Sequence, residues 1–214
     1  MNAVITNPLN LVLIIIGTFL SISLGIFLLF NESAKNKANI FLGLILLSLS
    51  FYFSTAFLFR FDLLEKFPHI IGLQHLSGFI IGPLAYLYVR VCTQKGFKMR
   101  PILWLHFMPF VIDLFLNLPF LLQSGSAKVE MYHNLLANGT LQQSLFILIT
   151  KTIHATIYFF LAGQLILQYR EHLTNTASSI DVTYHRWVLF FITILAFPVI
   201  SLIGFVFADF QRVL

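Results

Sequence analysis

The chain has 214 residues, of which 58% are hydrophobic and only 10% are charged, and its formal net charge is +5. A soluble domain has about 25% charged residues, and a chain of this length cannot bury so much apolar surface in a water-soluble core. The basic residues are spread over short loops, which favours orientation against an anionic inner leaflet over nucleic-acid binding. The composition therefore excludes a soluble globular domain.

Six apolar segments occupy most of the chain. They comprise residues 9–30, 40–59, 70–91, 102–122, 141–169 and 187–207. An α-helix rises about 1.5 Å per residue, so about 20 helical residues cross a hydrocarbon core of about 30 Å. The sequence therefore predicts an all-α, polytopic transmembrane bundle with six spans in the lipid bilayer, and residues 1–214 form it as a single unit.

The loop charges predict the orientation of this bundle. Eight basic residues lie in or beside the loops 31–39, 92–101 and 170–186: Lys35, Lys37, Arg90, Lys95, Lys98, Arg100, Arg170 and Arg186. The other side carries four, namely Arg60, Lys66, Lys128 and Arg212. The positive-inside rule places the first three loops in the cytoplasm and the N-terminus outside. Six crossings would then leave Leu214 outside as well, so a cytoplasmic C-terminal domain would require a seventh span.

Small residues at helical spacing predict where helices pack closely. The sets are Gly17, Ser21 and Gly25; Gly78 and Gly82; and Gly204 and Ala208. Such stripes serve packing within one chain or a homodimer contact, and packing within the chain is the more common case. Prolines predict bends within the third, fourth and sixth segments, at Pro83, Pro109, Pro119 and Pro198. A short interfacial helix is predicted at residues 127–137, within the loop 123–140.

Two ionisable residues lie deep within predicted spans. Asp113 is nine residues below the outer end of the fourth span and Lys151 ten residues below that of the fifth, which corresponds to depths of about 14 and about 15 Å. A lone charge at such a depth is costly, so we expect the two side chains to pair, joined by Asn117 one turn above Asp113. The pair is either a polar staple that sets helix register or a switch sensitive to a ligand or a proton.

Other polar residues complete the list of candidates. His154 follows Lys151 by about one helical turn, and is either a hydrogen-bonded interior residue or part of a proton-coupled site. Gln74, His75 and Ser77 are candidate ligand contacts at the outer entrance of the bundle. The histidines lack the spacing of metal ligands or the facing depths of a haem pair, and no catalytic motif is present. The sequence thus predicts a noncatalytic protein without metal or cofactor.

Two segments of the chain are similar to a known family. One is "GPLAYLYVR" at residues 82–90, and the other is "LHFMPF" at residues 105–110, with Pro68-His69 leading into the third span. This arrangement resembles the membrane portion of bacterial AraC-type transcriptional regulators. The resemblance implies an N-terminal bundle of about seven helices in the bacterial inner membrane and a cytoplasmic helix-turn-helix domain. Residues 1–214 carry neither the seventh helix nor the helix-turn-helix pattern, so no DNA-contacting residue is assigned to them.

The sequence favours two classes of function. The first is a sensory region of a bacterial transcriptional regulator, which detects a small-molecule or membrane-borne signal through a shift between two helix packings and does not itself contact nucleic acid. The alternative is a small transporter or channel subunit, in which Asp113, Lys151 and His154 line an ion or proton path. The identity of the signal is left open by both.

Overall fold

The computed structural model describes residues 8–32, 36–61, 63–94, 96–138 and 141–176. The sixth predicted span, with Pro198 and the Gly204–Ala208 pair, lies outside these residues. Every regular element within the described ranges is helical. The α-helices are α1 (Pro8–Phe30), α2 (Lys37–Arg60), α3 (Leu73–Leu76), α4 (Ile81–Thr93), α5 (Met108–Leu121), α6 (Gly125–Asn138) and α7 (Leu141–Thr176). Shorter 3₁₀ helices comprise Pro68–Ile70, Ser77–Phe79 and Pro101–Phe107.

Three stretches of the described chain are long and apolar enough to cross a membrane. They are Leu11–Phe30, Lys37–Leu58 and Pro101–Leu121. Most of their side chains face away from the rest of the molecule, and large apolar residues such as Phe115 and Leu116 are exposed. A surface of this kind suits a lipid environment rather than water. The chain is therefore an all-helical bundle of membrane type.

The small-residue stripe of α1 packs against α2. A Cβ atom added to Gly17 would lie 2.8 Å from the Phe53 ring, and one added to Gly25 would lie 3.3 Å from the carbonyl oxygen of Gly43. Ser21 is buried between them, and its hydroxyl donates to the Gly17 carbonyl oxygen at 2.6 Å. Within the described chain, the stripe thus serves packing between helices of one molecule.

The main apolar core joins α2, α4 and α7. Its buried members are Ile45, Leu84, Ala85, Val89, Phe159, Ala162 and Ile166. Helix α4 lies between the other two and packs against both. Because Ala85 and Ala162 are small, α4 and α7 approach closely. This contact positions one face of α7 for the site described below.

The third predicted span is not one continuous helix. Between Pro68 and Thr93 the chain forms a 3₁₀ turn, the short helix α3, a second 3₁₀ turn at Ser77–Phe79, and then α4. Gly72 has φ +97°, a conformation that favours glycine and that ends the first turn. The apolar pattern alone predicted an uninterrupted span at 70–91. Hydrophobicity indicates which residues lie in lipid, but it does not indicate where the backbone changes from one helical geometry to another.

Two prolines begin helices rather than bend them. Pro83 lies in the first turn of α4, and Pro109 lies in the first turn of α5, after the 3₁₀ helix Pro101–Phe107. The first turn of a helix does not require the N–H group that proline lacks. These two prolines therefore lie in first turns, not in helix interiors, whereas Pro119 lies inside α5, near its C-terminal end.

Loop contacts define two ends of the bundle. At one end, which we call the Lys37 end, the Lys37 ammonium donates to the carbonyl oxygen of Phe97 at 2.7 Å. At the other, the His133 end, the His133 imidazole lies 3.0 Å from the Glu65 carboxylate. Helix α6 covers the His133 end and includes the predicted helix at 127–137. The loops 31–39 and 92–101, which the charges place on one side, thus meet in the fold.

Candidate functional site

The candidate site is built around an ion pair between α5 and α7. The ammonium nitrogen of Lys151 lies 3.1 Å from Oδ2 of Asp113. The two residues are only 9% and 7% exposed. This contact is the one expected from their matching depths in the sequence. A charged pair so far from solvent requires close geometry and further hydrogen bonds to offset its desolvation.

Asn117 supplies one of those hydrogen bonds. Its amide nitrogen donates to Oδ1 of Asp113 at 3.1 Å and to the carbonyl oxygen of the same residue at 2.7 Å. The spacing of four residues on α5 places the two side chains on one face. The two carboxylate oxygens of Asp113 therefore have different partners, Asn117 for Oδ1 and Lys151 for Oδ2.

The break in the third segment makes room for the ion pair. The Ser77–Phe79 turn packs against both α5 and α7, whereas the main neighbour of α7 is α4. A Cβ atom added to Gly78 would lie 2.5 Å from Cδ of Lys151, so the absence of a side chain there leaves space for the lysine. The Lys151 ammonium also lies 5.3 Å from the centre of the Phe79 ring.

His154 lies beside the pair without a hydrogen-bond partner. Both of its ring nitrogens are buried and unpartnered within the described part of the chain. Its ring stands edge-on to Phe79 at 5.0 Å and lies 4.8 Å from Tyr158, between ring centres. The interpretation of His154 as a hydrogen-bonded interior residue predicts a partner for its ring, and none is present among the described residues. Buried polar atoms usually have partners, so this imidazole is an exception.

Ser77 was expected at an outer entrance, together with Gln74 and His75. It is instead 2% exposed, and its hydroxyl has no hydrogen-bond partner among the described residues. The 3₁₀ turn at Ser77–Phe79 places it inside the bundle, beside α5 and α7. The placement of Ser77 at an entrance is therefore wrong. The side chains of Gln74 and His75 lie outside the described part of the structure.

A second polar group extends from the site towards the Lys37 end. The Tyr158 hydroxyl lies 2.9 Å from Nδ1 of His106, and both rings pack against Tyr86. The Arg90 guanidinium donates to the Tyr86 hydroxyl at 3.4 Å and lies over the ring of Phe97. Sequence analysis did not identify this group. The signal was present in the four-residue spacings from His154 to Tyr158 and from Tyr86 to Arg90, which put each pair on one helical face.

Lys128 is a second buried cation that sequence analysis did not identify. We counted it as a loop charge, but it is 1% exposed, and its ammonium donates to the Leu121 carbonyl oxygen at 3.0 Å. That oxygen belongs to the last turn of α5, where a cation is favoured by the unpaired carbonyl groups. The Phe120 ring lies 5.5 Å away. Lys128 thus fastens α6 to the end of α5. Burial raises the pKa of Tyr132, which lies one turn further along α6.

The arrangement is suited to proton or ligand binding. Its functional groups are one carboxylate, one ammonium, an amide, an unpartnered imidazole and an unpartnered hydroxyl, and the protein around them is largely apolar. Within the described residues, no group of three or more His, Cys, Asp or Glu side chains is placed to hold a metal ion. Comparisons with protein-family models, with curated proteins and with solved structures give no match. The geometry of this site is therefore the basis for the function proposed below.

Proposed function

We propose that this chain is the noncatalytic, membrane-embedded sensory region of a bacterial transcriptional regulator of the AraC type. In this proposal it crosses the inner membrane six times, with its N-terminus outside and the Lys37 end in the cytoplasm. Residues 1–214 detect the signal, and a domain outside these residues binds DNA. The observation that carries the proposal is the buried Asp113–Lys151 pair at the break in the third apolar segment.

The loop contacts support the alternation of the spans, and the loop charges supply the orientation. Lys37 and Phe97 belong to two loops that the positive-inside rule places in the cytoplasm, and they are hydrogen-bonded to each other. Glu65 and His133 belong to two loops expected outside, and they form an ion pair. The same-side pairing is what an alternating topology requires.

The ion pair and the break together support sensing. A 3₁₀ turn within a helical segment often marks a hinge or a strained sequence. A signal that binds one arrangement of such a hinge better than the other shifts the population between them. A signal that binds at Asp113 and Lys151 would displace the lysine from its space at Gly78. The 3₁₀ turn at Ser77–Phe79 would then move with the lysine. Intramembrane ionisable residues mark functional sites more often than other residues do.

The experiment that tests the proposal begins with the reading frame beyond the codon for Leu214. We expect a seventh apolar segment followed by a helix-turn-helix domain, and a stop codon directly after Leu214 would contradict the regulator. In the full-length protein, Asp113→Asn should change transcription from the target promoter. The matched control is Glu65→Gln, which neutralises an exposed ion pair at the opposite end and should leave transcription unchanged.

One observation favours a second candidate, a transporter or channel subunit. Transporters bind substrates and ions at discontinuous helices near the middle of the membrane, and the third segment changes from α to 3₁₀ geometry beside two charged residues. Liposomes that contain the purified protein distinguish the two candidates. Specific ion or proton flux that Asp113→Asn abolishes would favour transport, and well-folded protein without flux would favour sensing.

A further inference from the structure

The strongest unassigned feature of the site is the imidazole of His154. Both of its nitrogens are buried and have no hydrogen-bond partner within the described chain. Histidine is the side chain whose ordinary titration falls between about pH 5 and about pH 8. The unpartnered nitrogens leave one lone pair of the ring available for a proton. A structural histidine would instead use both nitrogens in hydrogen bonds.

Two aromatic rings flank His154. The rings of Phe79 and Tyr158 flank it at 5.0 and 4.8 Å, between ring centres. Aromatic rings attract cations, and the Lys151 ammonium already lies 5.3 Å from the centre of the same Phe79 ring. Phe79 therefore lies between two sites at which a positive charge is stabilised, one occupied by lysine and one at the imidazole.

The charged and titratable groups of each neighbouring element set the balance at His154. Asp113 on α5 and Lys151 on α7 pair with each other, and Tyr158 on α7 contacts the imidazole ring. A negative charge at Asp113 would favour a proton on His154 and a positive charge at Lys151 would oppose it, whereas Asn117 and Ser77 carry no charge. While Lys151 is paired with Asp113, their effects on His154 largely cancel. A proton on His154 places two cations beside a single carboxylate, and each then competes for it.

A group of polar and aromatic side chains extends from Tyr158, whose ring packs against His154, to the Lys37 end of the bundle. Tyr158 contacts His154 through its ring and His106 through its hydroxyl, which is 2.9 Å from Nδ1. Tyr86 packs against both His106 and Tyr158, and it accepts a hydrogen bond from Arg90. Arg90 lies over Phe97, whose carbonyl oxygen accepts from Lys37. These groups extend from the middle of α7 to the loops expected in the cytoplasm.

We propose that the ligand of the buried site is a proton, and that the His154 imidazole is the group that binds it. This inference rests on the proposed sensory function, because it names the signal. The proton comes from water at the Lys37 end and is added to Nδ1 or Nε2, and no covalent bond to another group is broken. The added charge competes with Lys151 for Asp113, loosens the lysine at Gly78, and so shifts the break between its two packings.

The experiment follows the histidine nitrogens directly. The protein carries ¹⁵N-labelled histidine in lipid nanodiscs, and nitrogen chemical shifts are recorded from about pH 5 to about pH 8. His154→Gln assigns the His154 signals. We expect the wild-type imidazole to titrate within this range. Lys151→Met should raise its proton affinity at least about tenfold, because Asp113 then lacks its cation, and Asp113→Asn should lower the affinity by a similar factor.

His133 is the internal control, because its partner Glu65 lies at the opposite end of the bundle and neither variant touches it. A wild-type His154 that stays neutral throughout the range overturns the inference, and apart from the assignment with His154→Gln that measurement uses the wild-type protein alone. Titration that is identical in both variants also overturns it, since the charges of the pair would then not act on the imidazole. The proposed regulator is tested separately. If His154 titrates but the full-length protein has no DNA-binding domain, the proton site is supported and the regulator is contradicted.

Discussion

Two acid–base pairs of nearly equal length lie in very different surroundings, and the Glu65–His133 pair is ionic only when its imidazole is protonated. Asp113 and Lys151 are 3.1 Å apart, and their side chains are 9% and 10% exposed. Glu65 and His133 are 3.0 Å apart, and theirs are 69% and 57% exposed. An exposed pair contributes about 0–1 kcal/mol because water and salt screen it. A buried pair constrains the fold far more, since the loss of one partner leaves a charge without solvent or counter-ion. Burial rather than distance therefore decides what each contact does.

Removal of one buried charge should have the largest effect. Asp113→Ala leaves the Lys151 ammonium buried and unpaired, so we expect it to destabilise the protein by about 3–5 kcal/mol. Thermal unfolding in detergent and the yield of monodisperse protein measure the loss. The reversed pair, Asp113→Lys with Lys151→Asp, should recover much of it. If the reversed pair is no more stable than the single variant, the two charges do not act as a pair.

The Asn117 hydrogen bond should rank second. Asn117→Leu removes the donor to Oδ1 of Asp113, and hydrogen bonds to charged groups contribute about 1.5–3 kcal/mol. Leu116→Ala, next to it on an exposed face of α5, is the matched control and should change thermal stability little. Equal losses for both variants would mean that α5 is sensitive to any substitution, and that the amide does not support the carboxylate.

The space at Gly78 should come third. A methyl group there would lie 2.5 Å from Cδ of Lys151, and crowding of this kind costs about 1–3 kcal/mol. Gly78→Ala should therefore lower the thermal stability in detergent. The control is Gly163→Ala on α7, where an added Cβ meets nothing within 4 Å and alanine favours the helix. Greater stability of Gly78→Ala than of wild type would show that the lysine does not depend on this space.

The exposed pair should show the smallest effect. Glu65→Gln is expected to cost about 1 kcal/mol or less, and about 0.5 M NaCl should remove most of the difference from wild type because it screens exposed charges. The same salt should leave the cost of Asp113→Ala nearly unchanged, since burial shields that pair from ions. Thermal unfolding of the three proteins at low and high salt checks both statements. A salt effect of equal size on the two pairs would contradict the contrast between them.

The sequence predicts those contacts of the site that follow from the depth of each residue in the membrane. Asp113 and Lys151 were paired by counting residues from the outer ends of two spans, and Asn117 was added by helical spacing. Ser77, His106 and Lys128 were misplaced or missed. Each of them depends on where a turn or a short helix points the chain, which residue counts along straight spans do not describe.

The sequence by itself determined that the chain is a helical bundle of membrane type, because apolar segments of this length have few other ways to satisfy their backbone groups in lipid. It also determined that two charges at equal depth would seek each other, since a lone charge there is costly. Only the tertiary structure decided that the third segment breaks at Ser77–Phe79, that Lys151 passes over Gly78, and that His154 lies between two aromatic rings. These features arise from packing between helices that are distant in sequence, and no local pattern records them.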